Sequence, residues 1–61
     1  MNKSYSVYFP NTDLIQEVVA ETWDISNEIL LTFYRFKGRE KNAVAVFNMN
    51  NILGFKVMLE D

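Results

Sequence analysis

Sixty-one residues with a net charge of −2, of which 49% are apolar and 15% aromatic, describe one small domain spanning residues 1–61. A chain this short buries only about 60% of its unfolded surface, and without cysteine or histidine it has neither disulfides nor the commonest metal ligands to staple it. The same two absences remove the usual base and thiol of nucleophilic catalysis, and no apolar run approaches the ~20 residues that cross a bilayer.

The first predicted element is a strand. Tyr5, Val7 and Phe9 alternate with Ser4, Ser6 and Tyr8, and the turn formers Pro10-Asn11 close the run. MNKSYSVYF lacks the apolar segment and small-residue cleavage site of a signal peptide, so a cytoplasmic location without membrane contact is expected.

Asp13–Ile25 supports two readings. As a helix, Asp13 caps with Gln16 at capping-box spacing, and Leu14, Ile15, Val18, Val19, Thr22 and Trp23 form one stripe. As a strand, Leu14, Gln16, Val18 and Ala20 alternate with Ile15, Glu17 and Val19, and the parity slips near Glu21-Thr22 as at a β-bulge. The β-branched residues and the Ser26-Asn27 turn that follows favour the strand.

Glu28–Lys37 holds the longest apolar and aromatic run, with Ile29, Leu31 and Phe33 on one strand parity and Leu30, Tyr34 and Phe36 on the other. A strand apolar on both faces is usually covered on both, which predicts a central strand. A charged loop over residues 38–42 leads into Ala43–Asn48, where Ala43, Ala45 and Phe47 alternate with Val44, Val46 and Asn48. The asparagines at 48, 50 and 51 predict a 3₁₀ or helical turn ended by Gly54. In the last strand Phe55, Val57 and Leu59 alternate with Lys56, Met58 and Glu60.

The expected fold is therefore all-β, with five antiparallel strands and a short 3₁₀ turn before the last. In architecture it resembles small SH3-like or Sm-like barrels, or a curled meander of the same strands. A βαβββ, α+β domain with a helix at about 13–24 is the alternative. At sequence level, Tyr5-Ser6-Val7-Tyr8-Phe9, Ala20-Glu21-Thr22-Trp23, Leu31–Phe36, and Ala45-Val46-Phe47-Asn48 through Asn51-Ile52-Leu53-Gly54-Phe55 resemble small uncharacterised proteins of Gram-positive bacteria and their prophages. That resemblance implies a β-rich accessory protein and carries no functional residue across.

Charge is unevenly placed. Residues 1–34 carry Lys3 against Asp13, Glu17, Glu21, Asp24 and Glu28, a balance of −4, whereas residues 35–41 carry Arg35, Lys37, Arg39 and Lys41 against Glu40, a balance of +3. In a hairpin, Arg35, Lys37 and Arg39 are expected on one face with Tyr34 and Phe36 on the other. Cations neutralise phosphates and rings stack on bases, so this stretch suits single-stranded nucleic acid. It equally suits a solvated hairpin tip whose rings sit in the core, and the acidic first half would repel a nucleic-acid backbone.

Two further residues are contact candidates: Trp23 beside the Ser26-Asn27 turn, as a partner anchor or a core cover, and Tyr8 on the polar parity of the first strand. The acidic segment 13–28 can also meet the basic hairpin of a second copy, giving a homodimer. Five acids at spacings of three to four read as a solvated face rather than an acid–base pair, and no loop has calcium-site spacing, so neither catalysis nor a cofactor is expected. The reading is a small non-enzymatic accessory protein that binds another protein, in a regulatory or inhibitory role, encoded on a mobile element. The alternatives are a nucleic-acid-binding barrel using residues 34–41 and a structural subunit of a homo-oligomer.

Overall fold

Alternation sets the strands, and turn residues end them. The computed structural model describes the backbone of residues 2–60 and the side chains of residues 2–58. Six strands run β1 (Lys3–Tyr8), β2 (Ile15–Ala20), β3 (Thr22–Ser26), β4 (Leu30–Lys37), β5 (Glu40–Asn48) and β6 (Gly54–Glu60), with a 3₁₀ turn at Met49–Asn51 before the last. They form two antiparallel sheets, ordered β2-β1-β6 and β3-β4-β5.

A single residue joins the sheets. Glu21 is a bend between β2 and β3, and its amide donates to the Tyr34 carbonyl at 2.8 Å, extending the β3–β4 ladder by one bond. β2 and β3 are thus two arms of one strand that leaves one sheet and enters the other: the parity slip expected as a β-bulge at Glu21-Thr22 is a bend that changes sheets. The spatial order becomes β6, β1, the bent strand, β4, β5. Because β5 and β6 do not pair, the meander curls without closing, and the closed form of an SH3-like or Sm-like barrel is not reached. No α-helix occurs among the described residues, so the helical alternative for 13–24 gives way to strand.

Each turn has its own chemistry. Between β3 and β4, Asn27 (φ 54°) and Glu28 (φ 63°) both lie in the left-handed region, and the Ile29 amide donates to the Ser26 carbonyl at 3.1 Å. That is a type I′ turn, whose twist matches the strands it joins. The β4–β5 loop is only Gly38-Arg39, with Gly38 at φ 62° in the first central position and Lys37 paired with Glu40. The expected loop over 38–42 is therefore shorter, because glycine permits a two-residue turn and β5 starts at Glu40. A bulge opposite Phe33/Tyr34 pairs them with Ala45 and Ala43, which breaks the expected alternation at Val44. Asn48 caps the 3₁₀ turn by accepting from the Asn50 amide at 2.8 Å, and Gly54 opens β6 rather than ending the turn. The expected faces of Leu59 and Glu60 fall on side chains outside the described residues.

The core lies between the inner faces of the two sheets. Tyr5, Val7, Val18, Ala20, Leu31, Phe33 and Ile52 are buried, with Phe9, Ala45, Phe47, Met49 and Phe55 packed against them. Phe33 is the hub: its ring lies 5.0 Å from Tyr5, 5.5 Å from Phe55 and 6.0 Å from Phe47, the last two edge-on. These are the tilted and perpendicular geometries aromatic rings prefer. The radius of gyration is 11.7 Å, against about 10.5 Å expected for a chain of this length. The core is thin, and much apolar surface stays outside it.

Candidate protein-binding surfaces

β4 does run through the middle of its sheet, but its second face is only partly covered. Leu31 and Phe33 point inward and are fully buried; Thr32 is buried on the outer face. Leu30 and Phe36, on the same outer parity as Thr32, remain exposed, Phe36 by 49%. Expected two-sided covering fails at these two positions because, among the described residues, no element covers Leu30 and Phe36. Opposite Thr32 stands Val46, 57% exposed.

The basic hairpin separates two of its four cations from its two rings. Arg35 pairs with Asn42 and Lys37 with Glu40, on the parity opposite Tyr34 and Phe36, as the alternation predicts. Arg35, Lys37, Arg39 and Lys41 are all exposed. Lys41, across from Phe36, joins the other face and sets its Nζ 4.4 Å from the centre of the half-buried Tyr34 ring. This cation–π contact occupies a ring face that a base would otherwise stack on.

Glu21 anchors this hairpin, a role its place among five spaced acids did not mark. Beyond Tyr34 the bent strand turns away, which leaves the Phe36 amide without a strand partner. The Glu21 carboxylate accepts from that amide. The Phe36 amide, with a smaller contribution from the Arg35 guanidinium, holds the Glu21 carboxyl below its ordinary pKa.

Trp23 faces inward opposite Phe33, stands edge-on to Phe55 at 5.0 Å, and is 43% exposed. It covers the core and shows one side to solvent. Tyr8 sits on the outer face of the other sheet, half-buried, with the Lys56 Nζ 6.0 Å from its ring centre. The candidate residues therefore fall into three places: the hairpin, Trp23 over the core, and Tyr8.

Around Tyr8 the structure adds residues that alternation did not single out. Tyr8 pairs with Ile15 on one side and Gly54 on the other, so Leu14 and Leu53 flank the end of β1. Two strand spacings put them roughly 10 Å apart. Leu14 and Leu53 are 75% and 73% exposed. Neither lies on loose backbone: the Leu53 amide donates to the Tyr8 carbonyl at 2.7 Å, and the Leu14 amide to Thr12 Oγ1 at 3.2 Å. A signal existed, since each leucine stands in a turn context, Thr12-Asp13 before one and Asn50-Asn51 shortly before the other. No cavity and no cluster of metal-ligating side chains occurs among the described residues. Comparison with family models, curated proteins and solved structures finds no match.

Proposed function

We propose that this protein acts without catalysis, by binding another protein through the Leu14, Ile15, Tyr8 and Leu53 end of the β2-β1-β6 sheet. One observation carries this reading: the two most exposed large apolar side chains of the described residues flank the end of β1 on hydrogen-bonded backbone. Because their amides are already hydrogen-bonded, binding orders the leucine side chains without also having to order that backbone, and burial of the side chains supplies the affinity. Tyr8 supplies an aromatic ring of the kind found at interface hot spots. A nucleic-acid role for residues 34–41 is supported less well, because Arg35 and Lys37 lie on the parity opposite Tyr34 and Phe36 and Lys41 covers one side of Tyr34.

Affinity capture with nuclease-treated lysate tests the reading, comparing the native chain with a Leu14→Glu/Leu53→Glu variant. The native protein should retain a defined protein that survives nuclease and is lost in the folded variant. Retention that nuclease abolishes, or that the variant leaves intact, contradicts it.

A further inference from the structure

The outer face of the β3-β4-β5 sheet is a separate surface with a polarity of its own. Apolar side chains run along it: Leu30, Phe36 and Val46 are exposed there, with the buried Thr32 between them. Its ends carry opposite charge. At one end lies the Asn27-Glu28 turn; Asp24, opposite Thr32, adds a second acid on the same face further in from that end. At the other lie the Gly38-Arg39 turn and Lys41, whose ammonium over Tyr34 fixes it to this face. Eight residues of β4 separate the two turns, about 26 Å of extended chain.

We propose that this face docks onto the same face of a second copy about a two-fold axis that reverses the strand direction. Charge complementarity selects the partner and the orientation. With strands antiparallel, the Glu28 turn of each copy meets the Arg39 turn of the other, twice, with the apolar side chains of both copies between these contacts. With strands parallel, like charges meet at both ends. A two-fold contact is self-complementary, and a face with one acidic and one basic end satisfies that condition. Glu28 itself adds support. It occupies the second central position of a type I′ turn at φ 63°, where glycine is strongly preferred. A charged residue held in a costly conformation points to a use for its charge.

The size of the face sets the strength. Three strands about 4.8 Å apart and eight residues at about 3.3 Å give a footprint on the order of 400 Å². That is below the roughly 800 Å² per partner of a standard interface, so the dimer is a weak one that forms at high concentration and falls apart on dilution.

Sedimentation equilibrium of the full chain, from about 1 μM to 1 mM, tests this with four samples. The native protein should pass from monomer to dimer. Val46→Lys, a change at an exposed position, should keep the fold and stay monomeric. Glu28→Arg and Arg39→Glu should each weaken the dimer by roughly tenfold, because each turns two attractive pairs repulsive. An equimolar mixture of those two variants should dimerise like the native chain, since both pairs are restored in the heterodimer. A native protein that is monomeric throughout overturns the proposal. So does a dimer indifferent to Val46→Lys and to both charge reversals, which would put the contact elsewhere, for example on the open edge of β5. Capture through Leu14 and Leu53 is independent of these outcomes, so either reading can fail alone.

Discussion

At the residue scale, Phe33 carries the fold. It is fully buried and meets three other rings. Truncation of a buried phenylalanine costs about 3–5 kcal/mol, while a domain of this length has only about 3–9 kcal/mol in all. Phe33→Ala should therefore be largely unfolded or close to it at 25 °C by circular dichroism. Near-native denaturant resistance in that variant would mean the aromatic cluster is not the core.

Glu28 makes the opposite prediction at the same scale. Left-handed backbone costs a side-chain-bearing residue about 1–2 kcal/mol, and glycine's extra freedom in the unfolded chain returns about half of that. Glu28→Gly should raise stability by about 0.5–1 kcal/mol in urea titrations while weakening self-association. Loss of stability would show that the left-handed turn is not strained in the native chain. The outward parity of Tyr8 was legible from alternation; the inward place of Phe33 was not, because both parities of its run are apolar. The exposure of Leu14 was not: both strand and helix readings put it in an apolar set, because neither says where β2 begins.

At the element scale, the bend at Glu21 decides the architecture. The sequence carried its mark as a slip in parity, but slip and helical stripe use the same residues, so the segment stayed ambiguous between strand and helix. What resolves it is non-local. The Glu21 amide pairs with Tyr34, and its carboxylate caps Phe36, partners more than a dozen residues away. The bulge at Val44 was hidden for a similar reason, since either parity of Ala43–Asn48 is apolar enough to face inward.

The cap gives a pH dependence. Its folded carboxyl titrates below the unfolded one, so the contribution is complete above about pH 4.3, the unfolded value. It is lost as pH falls through the lower folded value, because the unfolded chain takes up the proton first. Glu21→Gln keeps an acceptor for the Phe36 amide and removes the titration. Its stability should fall less steeply than the native protein's on acidification below about pH 4.3. Parallel slopes would mean that the carboxylate does not act as the cap.

At the scale of the whole molecule, the chain has more apolar side chains than two thin three-stranded sheets can cover. Closing the barrel between β5 and β6 would have enclosed more of them; the open meander instead leaves apolar residues at the end of one sheet and on the outer face of the other. Strand content and order were legible because short runs of alternation are local. Openness was not, because it depends on whether two distant edges pair.

The view that this surplus serves recognition rather than folding is tested most directly by the denaturant midpoint of the Leu14→Glu/Leu53→Glu variant. Exposed substitutions away from structural features stay within about 0.5 kcal/mol, and the variant should match the native protein to that extent. A loss of about 2 kcal/mol or more, the cost of disturbing a packed core, would show that these leucines hold the fold together and would contradict the account.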